Sequence, residues 1–138
     1  MMGRVLAVDP GTVRVGLAVS DPLRITAQPL EVVPLADAVR RVVEVCEDLD
    51  VEEVVVGLPR TEKGEEGESA RLARLLGEEI ASATGLPVAT VDERYTSRIA
   101  ETALIEGGVR RRKRRGSVDK VAAALILRTY LDRPGRKS

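Results

Sequence analysis

Val5–Val8 is a run of four apolar residues without polar interruption, closed by Asp9-Pro10-Gly11-Thr12. A strand that lacks polar alternation is one covered on both faces, so this segment belongs inside a layered sheet. The residues that close it spell a turn, with Pro10 holding φ and Gly11 tolerating positive φ. Val13–Ser20 then resumes β character, and the two segments read as a hairpin. Asp21-Pro22 turns the chain again, and Ile25–Val33 reads as a third strand. Pro29 lies within it and offers no N–H to a ladder, which places that strand at a sheet edge.

Beyond Pro34 the period changes. Val39, Val42, Val43, Cys46 and Leu49 recur at helical spacing, and Val54–Gly57 follows as a short buried strand. Leu58–Gly67 reads as a Gly/Glu-rich loop, and Leu72, Leu75, Leu76, Ile80 and Ala83 mark a second helix that stops at Gly85. Pro87–Val91 is a fifth strand. Thr96 or Ser97 can cap a helix through Glu106, stopped by Gly107-Gly108. Residues 109–116 read as a basic loop, Ser117 as the cap of a last helix reaching about Leu131, and the tail RPGRKS as frayed. The order is β-β-β-α-β-α-β-α-α. An antiparallel meander leads into strands joined by helical crossovers, which must run parallel. The first strand is then central, the third an edge, and the sheet is mixed α/β and covered by helices. With 138 residues, no internal repeat and no linker, the chain reads as one domain, 1–138.

Composition removes several chemistries. The chain has no His, which excludes His-ligated zinc, the Ser-His-Asp triad and the Cys-His dyad. A single Cys excludes disulfides and thiolate cages, and two Tyr without Phe or Trp cannot build a base-stacking platform. A metal ion here must be held by oxygen, which points to Mg²⁺ or Mn²⁺. The N-terminus lacks a signal-peptide apolar core, and no run reaches the roughly 20 apolar residues of a membrane span. The expected setting is therefore cytoplasmic, without a membrane partner. Lys+Arg and Asp+Glu both number 22, yet residues 1–69 hold 7 basic against 14 acidic side chains and residues 70–138 hold 15 against 8. That asymmetry fits a polyanion contact on the second half, or halves that interleave in the fold.

Asp9 ends the buried strand, where open α/β sheets place their sites, although Asp-Pro-Gly is also a good hairpin turn by itself. Asp92 and Glu93 end the fifth strand at the same edge, and side-chain alternation lets only one of them face a site. They read equally well as a solvated strand end beside Arg94. Asp119 heads the stripe Asp119, Ala122, Ala123, Ile126, Tyr130 on the last helix. An Asp in a first helical turn can simply complement the dipole, but a carboxylate on a core-facing stripe is costly until something neutralises it. If the three acids converge, their oxygen donors suit Mg²⁺ or Mn²⁺, and a pair of such ions about 3.5–4 Å apart clamps the attacking and leaving oxygens of a phosphodiester. Arg110, Arg111, Arg112, Lys113, Arg114 and Arg115 form a run of six cations just before Asp119. Their mutual repulsion favours an extended segment, and a phosphate-backbone clamp is the reading that fits beside a carboxylate site. Arg60 and Lys63 in the loop after the fourth strand offer further phosphate contacts, or belong to an ordinary surface loop.

The segments VLAVDPGTVRVGLAVSD (5–21), VVVGLP (54–59), VDERYTSRIAE (91–101) and RRRKRRGSVDKVAAALILRTYLD (110–132) together resemble the YqgF/RuvX family nearly end to end. That family is named both for Holliday-junction resolution and for pre-16S rRNA processing. The resemblance implies an RNase H-like fold, a sheet of order 3-2-1-4-5 and a two-metal nuclease. By position, Asp9, Glu93 and Asp119 match the family's acidic triad, and Arg14 and Arg94 match its basic positions. Related resolvases often carry a fourth acid near the third, whereas here Lys120 and alanines follow Asp119.

The leading expectation is thus a metal-dependent endonuclease acting on structured RNA, the 5′ end of precursor 16S rRNA in particular. Cleavage of branched DNA is the alternative in the same reaction class; paired cuts there need a two-fold dimer, so the chain is expected as a monomer or a homodimer. A sugar-kinase or actin-like ATPase is suggested by Asp-x-Gly-Thr, but such proteins need two lobes and this chain supplies one. A non-catalytic nucleic-acid-binding factor would keep the fold and the basic run without the chemistry.

Overall fold

The computed structural model describes residues 3–59, 67–92 and 111–133, the backbone alone over 111–120. Five strands form one sheet: β1 (Arg4–Pro10), β2 (Arg14–Ser20), β3 (Ala27–Pro34), β4 (Val51–Leu58) and β5 (Val88–Asp92). Among the described residues three helices accompany them: α1 (Ala38–Asp48), entered through a 3₁₀ turn at Leu35–Asp37, α2 (Glu68–Thr84) and α3 (Arg111–Leu131). The strand order is β3-β2-β1-β4-β5. β1 pairs antiparallel with β2, and β2 with β3. β1 pairs parallel with β4, and β4 with β5. The expected RNase H-like order 3-2-1-4-5 is the one observed, with β1 central and Pro29 in edge strand β3.

Alternation on β1 explains both layers. Leu6 and Val8 join Val15, Leu17, Val54 and Val56 beneath α1 and α2. Val5 and Ala7 point the other way and pack with Ala18, Val55, Ala123, Ile126 and Leu127 beneath α3. All four β1 residues are fully buried, as a strand covered on both faces must be. On α3 the buried positions Ala122, Ala123, Ile126, Leu127, Tyr130 and Leu131 carry the predicted stripe onto the sheet. α3 lies chiefly across β1, β2 and β3.

Several boundaries differ from expectation for identifiable reasons. β3 starts at Ala27 rather than Ile25 because the Asp21 carboxylate accepts the amides of Ile25 (2.7 Å) and Thr26 (2.9 Å), holding that stretch in a turn. Val13 lies outside β2; it is 76% exposed, and its carbonyl accepts the Leu35 amide at 2.9 Å. On α2 the inward residues are Ala70, Ala73, Leu76, Gly77 and Ile80, so Leu72, Leu75 and Ala83 mark the helix without entering the core. Gly85 ends α2 at φ 73°, its amide bonded to Ala81 O at 2.9 Å.

The largest correction concerns the basic run. Arg111–Arg115 belongs to the first turns of α3, and the helix starts at Arg111 rather than at Ser117. Arg and Lys are strong helix formers, and Gly116 costs only about 1 kcal/mol inside a helix that the sheet already anchors further along. The helix expected over 96–106, the glycines that stop it and the tail after Arg133 lie outside the described residues. No helix among the described residues is long and apolar enough to cross a membrane.

Candidate active site

Strands β1, β4 and β5 run parallel, so their carboxyl ends share one edge of the sheet. Asp9 is there. It is half-buried, and its odd position on β1 gives it the parity of Val5 and Ala7, the face that α3 covers. Its partner across the ladder is Gly16, buried and without a side chain, so β2 leaves the space beside the carboxylate clear. On the other side, Val8 pairs with Val56, and Gly57 follows. Gly57 in turn faces Val91 on β5, and Leu58 faces Asp92.

Parity separates the two candidate acids of β5. Val88 packs toward α1 and α2, whereas Ala89 and Val91 pack toward α3. Asp92 shares the parity of Val88 and Thr90, and so is turned from the face that holds Asp9. Only one acid of the pair was expected to face the site, and Asp92 is the one facing away. Glu93 lies outside the described residues, as do Arg60, Arg94 and Arg110.

The hairpin tip returns a cation to this edge. A Cβ on Gly11 would stand 2.5 Å from the Arg14 carbonyl oxygen, so only glycine fits where the chain folds back. Arg14 opens β2 with the parity of Gly16 and Ala18, hence on the Asp9 face, and is half-buried.

The other end of the molecule sets where α3 lies. The Tyr130 hydroxyl donates to Glu53 Oε2, and Arg24 donates to Glu53 Oε1 at 3.0 Å and to Gly3 O at 2.8 Å. Arg133 stacks on the Tyr130 ring at 3.6 Å, and Arg128 donates to Ile25 O at 2.7 Å. These contacts pin the C-terminal end of α3 at the level of Val5, which pairs with Glu53. From Val5 to Asp9 the strand rises about 13 Å. From Tyr130 back to Asp119 the helix rises about 16 Å. Asp119 lies on α3 about three turns before Tyr130, and its side chain lies outside the described residues. Arg111–Arg115 form the N-terminal end of the same helix.

The latch at Glu53 was missed from sequence. Its signal was present, because Glu53 has the parity of Val55 and so points inward beneath α3. The donor chemistry at the carboxyl edge suits a hard divalent cation: a half-buried carboxylate beside a glycine, in a chain with no His. Among the described residues no three acidic or Cys side chains gather closely enough to hold one.

A mixed five-stranded sheet of order 3-2-1-4-5, with an acid ending its central strand and a helix laid across that acid's face, is the RNase H-like fold. The chain belongs to the RuvX family, described as Holliday junction resolvase, whose sequence model matches residues 3–133. Among its relatives is a protein of Lactococcus lactis named "Putative pre-16S rRNA nuclease", 44% identical over 137 residues and covering 96% of each chain. Proteins of the same name from Dictyoglomus thermophilum and Mycobacteroides abscessus are 46% identical (94% of this chain, 95% of the relative) and 47% identical (97% and 84%). In fold the chain is similar to Thermus thermophilus RuvC in complex with a Holliday junction substrate, with a TM-score of 0.58, 24% identity and 94% of both chains covered. Another Thermus thermophilus RuvC structure gives a TM-score of 0.50 at 23% identity, covering 89% of this chain and 92% of that one.

Proposed function

We propose that this chain is a divalent-metal-dependent endonuclease of the cytoplasm, one domain spanning residues 1–138, that cleaves structured nucleic acid. The 5′ end of precursor 16S rRNA is its substrate in this reading. The observation that carries it is the place of Asp9: at the carboxyl edge of the central strand, beside Gly16 and on the sheet face that α3 covers. Asp9, Glu93 and Asp119 are assigned as the acids that hold Mg²⁺ or Mn²⁺. Glu93 continues in sequence the odd parity of Ala89 and Val91, and Asp119 precedes Ala122 and Ala123 by one helical turn. Such an ion, when bound, supplies positive charge against the phosphodiester and lowers the pKa of an attacking water.

The chain's own part is to bind and orient the phosphate. Arg14, at the hairpin tip, and Arg94 are assigned to the phosphates flanking the cut, with Arg60 in support. Arg110, Arg111, Arg112, Lys113, Arg114 and Arg115 hold the backbone further out. Five of these six cations sit at the N-terminal end of α3, where the helix dipole opposes positive charge and favours an anion. A bound phosphate backbone relieves that conflict without reading sequence. The names of the relatives support the RNA substrate, and the description of the family supports branched DNA as the second reading.

The test is cleavage of matched precursor-rRNA and four-way-junction substrates with Mg²⁺ or Mn²⁺ by the native chain, Asp9→Asn and Asp119→Asn. Native cleavage of the RNA is expected, with each variant slower by at least about a hundredfold while still binding nucleic acid. Absence of cleavage on both substrates refutes the enzyme reading, and cleavage that survives both substitutions refutes the site.

A further inference from the structure

Val13 is the most exposed large apolar side chain among the described residues, at 76%. It stands at the tip of the β1–β2 hairpin, beyond the last rung of the ladder, Pro10 with Val15. The tip is held by backbone. The Val13 carbonyl accepts the Leu35 amide at 2.9 Å, and Gly11 comes so close to the Arg14 carbonyl that no Cβ fits between them. Any residue at 13 could supply that carbonyl, so the fold does not ask for a branched hydrocarbon there. The proposed site does lie beside it. Gly16 pairs with Asp9, and Val13 precedes Gly16 by three residues, at most about 10 Å along the strand. Arg14, next in the chain, is half-buried with the parity of the Asp9 face. Leu35, whose amide is bonded to Val13, is itself 39% exposed and widens the apolar surface.

We propose that Val13 is a substrate-contacting wedge: it packs against an unstacked base within about three nucleotides of the cut, and so selects RNA at a boundary between duplex and single strand. The inference rests on the nuclease reading and deepens it. Cations such as Arg14 satisfy phosphates, which every sequence and structure displays. An apolar side chain is satisfied by apolar surface, and in RNA that surface is the base face, which a continuous helix keeps stacked. Apolar side chains act on nucleic acid by entering where two bases have parted. An aromatic ring commonly fills that role, but the chain has no Phe or Trp. Branching at Cβ keeps valine stiff at χ1, and the tip is already pinned, so contact costs little conformational freedom. The range follows from the strand: about 10 Å spans three stacked base steps of about 3.4 Å each.

The test uses the full chain and a precursor-rRNA helix that ends in a single strand, with 2-aminopurine placed in turn at the nucleotides flanking the boundary. Without divalent ions the RNA stays uncut, and unstacking of the probe raises its fluorescence. Saturating native chain should raise the signal about twofold or more at one of these positions. Val13→Ser should still bind through its arginines and leave the signal near that of free RNA, whereas Val13→Leu should keep the rise. With Mg²⁺, Val13→Ser should cleave about tenfold slower, the loss expected when one apolar contact goes. Its thermal melt should match the native one, because the side chain lies outside the core. A native chain that raises no signal at any position overturns the proposal, as does a rise that survives Val13→Ser. Cleavage that Val13→Ser leaves at full rate overturns it too. A native chain that raises the signal but cuts nothing refutes the nuclease reading instead, and Val13 stands as a binding contact.

Discussion

Tyr130→Phe removes a single oxygen from the latch that holds the C-terminal end of α3. The ring stays in the α3 core and Arg133 can still stack on it, so the change isolates the hydrogen bond to Glu53. A hydrogen bond to a charged acceptor contributes about 1.5–3 kcal/mol. Glu53 keeps its Arg24 partner at 3.0 Å and its side chain is 20% exposed, so the low end applies, about 1.5 kcal/mol. For 138 residues that lowers Tm by about 5–8 °C. Burial, and then the bond to Glu53, raise the Tyr130 pKa above its ordinary value. A raised folded pKa means that the contribution is complete below the unfolded value, about pH 10, and is lost as pH climbs through the folded one. Thermal melts of the native chain and Tyr130→Phe should thus differ at neutral pH and converge in alkali, and a cycle with Glu53→Gln should show coupling of at least about 0.5 kcal/mol. Melts that coincide at neutral pH, or a gap that persists above the phenol's titration, would refute the latch.

Burial pushes the Cys46 thiol up to about 11, with the charge of Glu47 adding to it, so little thiolate exists at neutral pH. An aromatic disulfide reagent should react with native protein at least about a hundredfold slower than with the chain in denaturant; equal rates would contradict the packing of α1. Gly85→Ala places a Cβ at φ 73° and should destabilise by about 1 kcal/mol, read from the urea midpoint at unchanged slope. A neutral outcome would mean that α2 does not end as described.

Strand existence and order were legible because they rest on local chemistry. Pro29 has no N–H and must lie at an edge, and the unbroken Val5–Val8 run must be central; both hold. Crossover rules made β4 and β5 parallel to β1, and the family resemblance implied their order beside it; that order is the one observed. Element ends were less legible, because competing hydrogen bonds decide them. The Asp21 carboxylate takes the Ile25 amide, and the basic run joins α3 because the helix is anchored further along. At the site, Asp9 was legible as a strand-ending acid but not distinguishable from a turn residue. Its parity with Val5 and Ala7 and the glycine beside it turn it toward α3. The same parity separates Asp92 from that face.

The sequence by itself determined the kinds of elements, their order, the centre and edge of the sheet, and an oxygen-only chemistry, since these follow from side-chain period, proline's missing donor and the absence of histidine. Tertiary structure alone decided which face each residue serves and how far along α3 lies. Those depend on register, and register is set by contacts between segments remote in the chain. The Tyr130–Glu53 bond joins residues 77 apart, and it fixes one end of α3 on the sheet face that Asp9 shares with Val5 and Ala7.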